Sequence, residues 1–210
     1  MRFWVKCVVA AWVMGGSAVA EPVSGADARK ALFAVRGVDL ALVRDSGLDA
    51  GQETVVQAIL QQLEAGGSAN YYGAVAISPS FFEMMTQDPA GAASSGLLQV
   101  AEKFHNARAA SVAALSACEA ARQENQAQCV VAAQILPKNW TAQPLQMSVE
   151  ATEAFKEYRK GRGPKFMAIS PATTAFAYAK GDGAATVALT QCNQRSTIMG
   201  QSDCIIVIED

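Results

Sequence analysis

The sequence has few of the residues and motifs that enzymes commonly use for catalysis. It contains one histidine in 210 residues. That histidine, His105, lies in a polar stretch beside Asn106, where a surface or helix-capping role is more typical than that of a general base. There is no His-rich cluster, Gly-x-Ser-x-Gly elbow, Gly-x-Gly-x-x-Gly motif or phosphate-binding loop. We therefore expect no catalytic residue, no metal and no cofactor, and the sequence favours a protein that is not an enzyme.

Beyond its N-terminus the chain also lacks a hydrophobic run long enough to cross a membrane. Arg2 and Lys6 flank the start of an apolar run at 7–14, which is shorter than the roughly 20 residues that a spanning helix needs. This pattern predicts a secretory signal peptide rather than an uncleaved anchor. The residues that define the predicted cleavage site are Ala18, Ala20 and Glu21. We therefore expect a periplasmic or secreted protein whose mature chain has no transmembrane span.

An excess of positive charge is absent as well. Without its first twenty residues, the chain has 15 basic and 19 acidic side chains, a net charge of −4. A nucleic-acid partner would usually require a basic surface. The sequence therefore argues against nucleic-acid binding and leaves an unknown protein or a small molecule as the partner.

Four cysteines remain after the predicted cleavage, namely Cys118, Cys129, Cys192 and Cys204. An even number of cysteines in an exported chain predicts disulfide bonds. Four cysteines allow three pairings, and their spacing alone leaves all three open.

An internal repeat is the strongest pattern in the sequence. The tetrapeptide Ala-Ile-Ser-Pro occurs at 76–79 and again at 168–171, and each copy is followed by an Ala/Leu-rich segment that ends at a cysteine, Cys118 or Cys192. A second cysteine then precedes a short apolar run in both copies. The repeat therefore favours the pairings Cys118–Cys129 and Cys192–Cys204.

The two copies differ in length between their first strand and their helix. The Ala-Ile-Ser-Pro motifs are 92 residues apart but the first cysteines only 74, so copy one contains 18 additional residues, around 81–105. This insertion contains Phe81 and Phe82. We expect these rings to cover the core, and an exposed docking patch is the alternative.

The local patterns predict an α+β fold. Each copy is expected to form a strand–strand–helix–strand unit with its own disulfide, and the two pseudo-repeated units pair within one structure that has extra helices. Further strands are expected at 31–35 and 38–43. Asp49 with Gln52 forms the capping-box pattern of one extra helix, and Ser148 is placed to cap another.

The predicted organisation has five parts. The signal peptide covers 1–20, and an N-terminal strand pair and helix follow over 21–66. Repeat unit 1 covers 67–136, a linker and helix 137–163, and repeat unit 2 164–210.

One local concentration of positive charge stands against the overall acidity. The residues of this basic run that are candidates for an anion-binding site are Arg159, Lys160, Arg162 and Lys165. The alternative is a solvated helix end, where cations are favoured by the helix dipole. Glu150 and Glu153 are an acidic pair at the start of the same predicted helix, a position that the dipole also favours.

Both copies resemble the secreted domain of unknown function DUF4189. The resemblance lies in the Gly73–Pro79 strand, the Ala114-Leu115-x-x-Cys118 ending of the helix and the apolar run that begins at Cys129, with equivalents in copy two. It implies an exported domain and assigns no activity.

The chain as a whole also resembles a group of small exported alphaproteobacterial proteins. The shared segments are Tyr71–Ala76, Ala132–Trp140 and Tyr158–Lys165. Some members of that group carry the label of aminolevulinate synthase, a large cytoplasmic pyridoxal-phosphate enzyme whose fold does not fit in 190 residues.

Three functional hypotheses follow. The first is a non-enzymatic binding or interaction module. The second is a small periplasmic hydrolase whose acidic catalytic residues are brought together only by the fold. Aminolevulinate synthase is the third and is disfavoured.

Overall fold

The computed structural model describes residues 21–67 and 70–210. The predicted signal peptide lies outside this part of the chain. The described helices are α1 (Gly25–Ala31), α2 (Ala50–Ala65), α3 (Ser80–Gln87), α4 (Pro89–Ser94), α5 (Ala107–Ala121), α6 (Val149–Tyr158) and α7 (Ala184–Ser196). The strands are β1 (Val38–Leu42), β2 (Gly73–Ile77), β3 (Leu98–Ala101), β4 (Val130–Pro137), β5 (Lys165–Ile169), β6 (Phe176–Lys180) and β7 (Ile205–Glu209). Within the described residues, no helix has both the length and the apolar character needed to cross a bilayer.

The α+β fold class is confirmed, and each copy forms a strand–strand–helix–strand unit. Repeat 1 consists of β2, β3, α5 and β4, and repeat 2 of β5, β6, α7 and β7. The strands form two separate antiparallel sheets, ordered β1-β4-β2-β3 and β6-β5-β7. The repeated sequence therefore encodes one unit of structure that the chain builds twice.

The two copies share an irregularity in their central strands. β2 pairs with β3 and β4, and its register with β4 shifts between Val75 and Ala76. β5 pairs with β6 and β7, and its register with β7 shifts between Met167 and Ala168. The shift comes at the first residue of Ala-Ile-Ser-Pro in both cases. The extra residue at each shift lies in the last strand of the repeat, Ala132 in β4 and Val207 in β7, so the same irregularity occurs opposite the motif in both copies.

Small and large residues alternate along these strands and separate the two faces of each sheet. In repeat 1, Ala74 and Ala76 pack with α5, whereas Val75 and Ile77 face the cluster that contains α2 and α3. In repeat 2, Ala168 packs with α7, and Met167 and Ile169 face α6. The helices that follow also present small residues to the sheet, so helix and sheet approach closely.

Both predicted disulfides are present. Cys118 bonds to Cys129 and Cys192 to Cys204, across sequence separations of 11 and 12 residues. Each joins the repeat's helix to the residue just before its last strand. The repeat-based choice among the three possible pairings is therefore confirmed.

The inserted segment of copy one lies between β2 and β3. It forms α3 and α4, where copy two has only a short turn. Phe81 and Phe82 are buried against α2 and β2 in the larger core cluster of repeat 1. The core interpretation of these two rings is confirmed.

The N-terminal region differs from the prediction. The strand expected at 31–35 is not formed; α1 ends at Ala31, and Val38–Leu42 is the one strand of this region. Ser24 caps α1 by accepting a hydrogen bond from the Asp27 amide, and Ala28 is fully buried in the core of repeat 2. The cap and the burial of Ala28 account for α1, a helix that the sequence analysis did not predict.

The predicted caps of the longer helices are confirmed. Asp49 and Gln52 form a capping box at the start of α2. Ser148 accepts a hydrogen bond from the Ala151 amide at the start of α6.

Candidate functional site

The loop before α5 joins the two repeats through His105. Its Nδ1 accepts a hydrogen bond from the Ser148 amide at 3.1 Å, and its Nε2 lies 3.0 Å from the carbonyl oxygen of Ala175. Because Nδ1 is an acceptor here, Nε2 must carry the proton and donate it to Ala175. His105 therefore links repeat 1 to the β5–β6 turn of repeat 2 and to the start of α6.

Of the two roles expected for His105, the surface role is wrong, because its side chain is completely buried, and the side chain that caps α5 is that of Asn106. Burial penalises the imidazolium and lowers the pKa of His105 to about 4, although the Ala175 carbonyl and the charges of Glu150 and Asp203 act in the opposite direction. The ring is neutral at ordinary pH. It has a structural hydrogen-bonding role rather than that of a general base.

Asn106 adds a second connection between the repeats. Its Oδ1 caps α5 by accepting the Ala109 amide at 2.8 Å, and its Nδ2 donates to the carbonyl oxygen of Pro171 at 3.3 Å. Pro171 is the last residue of the second Ala-Ile-Ser-Pro motif. The loop at 104–106 is therefore fixed against the repeated turn of the other copy.

A groove of about 610 Å³ opens beside this junction. One wall is the outer face of α5; the other consists of the turn at 171–173 and the segment at 199–201. The apolar side chains that line it are Phe104, Ala109, Val112, Ala113, Pro171, Ala172 and Met199. A smaller pocket of about 270 Å³ shares Asn106 and Pro171 with the groove and extends to Glu21.

Large apolar side chains remain exposed at this groove. Val112 is 59% and Met199 49% accessible, and Ile198, adjacent to Met199, is 86% accessible. Apolar residues clustered around a concavity are typical of binding surfaces, whereas single exposed ones are common everywhere.

One cation faces the same groove. Arg108 lies on the first turn of α5 and lines the groove. Its guanidinium forms no hydrogen bond or ion pair with any residue that the structure describes. The groove thus combines an apolar wall with one positive charge that is available to a ligand.

Only two of the four basic residues predicted as an anion site line the same cleft in the structure. Arg159 and Lys165 line a separate cleft at the end of α6. Lys160 pairs instead with Glu157 at 2.7 Å, and Arg162 does not line that cleft.

Glu102 and Glu150 form an acidic pair that lies outside the groove. Burial raises the pKa of Glu102, and the charge of Glu150 raises it further, while the Asn70 amide and Lys103 lower it. Glu150 itself pairs with Lys103 at 3.2 Å. Glu153, predicted as its partner, is exposed on α6. Neither Glu102 nor Glu150 lines the groove or the smaller pocket.

The fold and the groove define a two-copy, disulfide-bonded α+β protein with an apolar groove at the junction of its repeats. No protein-family model, curated protein or solved structure matches this chain. The assignment of the candidate site therefore depends on the geometry of the groove.

Proposed function

We propose that this protein is an exported, non-enzymatic binding module whose groove between the repeats holds an apolar segment of a partner protein. The observation behind this proposal is a groove of about 610 Å³ that is lined by two exposed large apolar side chains, Val112 and Met199, with the exposed Ile198 next to Met199 in the chain. Leaving such side chains in water is unfavourable, and covering them with a partner recovers this free energy.

The shape of the site favours an extended protein segment over a compact small molecule. The groove and the smaller pocket are separate depressions that are both lined by Asn106 and Pro171, the two residues that contact each other between the repeats. Successive side chains of an extended peptide point in opposite directions, so two separate depressions suit alternate residues of one segment. Arg108 favours a segment that also contains an acidic residue.

A periplasmic or secreted location is part of this proposal. Two disulfides are compatible with an oxidising compartment, where such bonds form and persist. The N-terminal sequence supports export, as argued above.

A peptide library displayed on phage tests the proposal directly. Selection against the wild-type protein should enrich peptides with alternating apolar residues and an acidic residue, and their affinity is then measured by fluorescence anisotropy. Val112→Asp should weaken binding by about tenfold or more, since burial of one aliphatic side chain contributes about 1.5–3 kcal/mol.

Val187→Asp is the matched control, because Val187 is a valine exposed by 43% on α7, away from the groove. It should change the affinity by less than about twofold. Equal losses in the two variants, or selected peptides that bind the Val112→Asp protein as tightly as the wild type, would contradict the proposal.

A hydrolase with acidic catalytic residues is the second candidate. It is favoured by one observation, the pKa of Glu102, which is raised by burial and to a smaller extent by the charge of Glu150, because two carboxyls whose pKa values are moved apart are the pattern of acid–base pairs. A panel of p-nitrophenyl esters and glycosides tests it. Hydrolysis that is lost in Glu102→Gln and kept in Glu153→Gln would support the hydrolase, and no hydrolysis by the wild type would count against it.

A further inference from the structure

A second cleft, remote from the groove, gathers positive charge from three parts of the chain. It has a volume of about 550 Å³ and lies between α1, the end of α6 and the start of β5. Its charged lining residues are Arg29, Lys30, Arg159, Lys165 and Asp210. Four cationic side chains and one side-chain carboxylate thus meet in a protein whose net charge is −2.

The floor of this cleft is an ordered ion pair. Lys165, whose side chain is only 12% accessible, lies 3.4 Å from Asp210 and 5.3 Å above the centre of the Tyr158 ring. The other oxygen of Asp210 accepts the Gly25 amide at 2.8 Å. The one carboxylate of the lining is therefore already used by the protein, and it largely neutralises Lys165.

The two arginines of the cleft have no such partner among the residues that the structure describes. Arg29 and Arg159 are exposed, and neither guanidinium forms a hydrogen bond or ion pair within the described part of the chain. Lys30, by contrast, is paired with Asp27 at 2.8 Å. Two unpaired guanidiniums therefore line the cleft from two different elements, α1 and the end of α6.

We propose that this cleft binds a phosphate group held between Arg29 and Arg159. Guanidinium presents parallel N–H donors that match the oxygens of phosphate, and hydrogen bonds between charged groups are roughly twice as strong as neutral ones. A phosphate monoester has a charge of about −1.5 to −2 at neutral pH, which complements two unpaired cations. The phosphate belongs either to a soluble phosphate monoester or to the headgroup of an anionic phospholipid.

Calorimetric titration at low ionic strength tests the site with two probes. Glycerol 3-phosphate represents the soluble source, and phosphatidylglycerol vesicles, compared with neutral phosphatidylcholine vesicles, represent the lipid. At least one of the two probes should bind the wild type. The same probe should bind the Arg29→Gln/Arg159→Gln double variant about tenfold more weakly, or not at all. Both substitutions are at exposed side chains that form no hydrogen bond or ion pair with the described residues, so the midpoint of urea unfolding should remain close to that of the wild type.

Arg162→Gln is the control, because Arg162 belongs to the same basic run but does not line the cleft. It should weaken binding by less than about twofold. Loss confined to glycerol 3-phosphate assigns the soluble source, and loss confined to the vesicles assigns the lipid headgroup. The proposal is overturned if neither probe binds the wild type, or if Arg162→Gln weakens binding as much as the double variant does.

Discussion

The two repeats share the same frame, a strand–strand–helix–strand unit with a disulfide, but differ in what surrounds the N-terminus of their helix. In repeat 1, α5 begins after His105 and Asn106, which contact repeat 2. In repeat 2, α7 begins after Gly183, an N-cap residue that has a left-handed backbone and no side chain to cap the helix. A Cβ atom added at Gly181 or Gly183 would meet nothing within 4 Å.

This difference shows how a duplicated unit acquires a specialised junction. One loop is buried against the other copy, and its counterpart is open to solvent. The groove lies beside the buried loop alone, so the asymmetry of the two loops creates the candidate site. The strand–strand–helix–strand unit and its disulfide are present in both copies, whereas the contacts of the loop at 104–106 occur in repeat 1 alone. Matched substitutions in the two copies therefore measure the contribution of the shared unit and that of the junction separately.

Removal of a disulfide should give the largest effect, and an equal one in the two copies. The bridges close loops of similar length, 11 and 12 residues, so the chain-entropy model assigns about 3 kcal/mol to each. Cys118→Ala/Cys129→Ala and Cys192→Ala/Cys204→Ala should therefore lower the free energy of unfolding by similar amounts in urea titrations.

Reduction of each variant with dithiothreitol is the control, since it should remove the remaining bridge and add a comparable loss. If one pair were dispensable and the other essential, the two units would not be equivalent in stability.

The next effect should come from His105 and should depend on pH. Its pKa in the folded protein is about 4, below the ordinary value of 6.5, so the unfolded chain binds the proton more readily. The contribution of the neutral ring to stability is complete above about pH 6.5 and is lost as the pH falls toward 4. Between pH 7 and 4.5 the loss should be about 2 kcal/mol.

His105→Gln provides the reference without a titrating ring. The quantity to measure is the difference in free energy of unfolding between the wild type and this variant at several pH values. The difference should shrink on acidification, whereas carboxylates elsewhere affect both proteins alike. A difference that stays constant with pH would show that the ring is not held neutral by burial.

Much of the frame could be predicted from the sequence, because its signals are local. The Ala-Ile-Ser-Pro strands, the Ala-rich helices and the cysteine spacing each specify a short segment, and the repetition of all three fixes their order. The register shift that both copies share lies opposite the first residue of that motif.

The junction could not be predicted in this way, because its contacts join distant parts of the chain. His105 meets partners 43 and 70 positions away, and nothing in the residues beside it signals burial. Arg29 was missed for the same reason: it lies far in sequence from Arg159, with which it lines the cleft. The acidic and basic runs showed where charge is concentrated but not which side chains remain unpaired.

A smaller effect should distinguish the serines of the two repeated motifs. Both are buried, but Ser78 donates to the carbonyl oxygen of Ala127 at 2.6 Å, whereas Ser170 donates to the carboxylate of Asp203. Hydrogen bonds to charged groups contribute about 1.5–3 kcal/mol and neutral ones about 0.5–1.5 kcal/mol. Ser170→Ala should therefore cost more stability than Ser78→Ala in urea unfolding.

Asp203→Asn tests the origin of that difference. It keeps an acceptor for Ser170 but removes the charge, so the cost of Ser170→Ala should fall toward that of Ser78→Ala in this background. If the two serine variants already cost the same in the wild type, the charge of Asp203 does not strengthen the bond.

The smallest effect should come from Asn106, where the two helix starts differ most. Asn106→Ala removes the cap of α5 and the contact with Pro171, and loss of such a cap typically costs about 1 kcal/mol. Asn106→Asp keeps a capping acceptor but cannot donate to the Pro171 carbonyl. Comparison of the two variants in urea unfolding therefore separates the cap from the contact between repeats. If Asn106→Asp were as stable as the wild type and bound the selected peptides equally well, the contact with Pro171 would contribute nothing to the groove, and His105 alone would hold the repeats in place there.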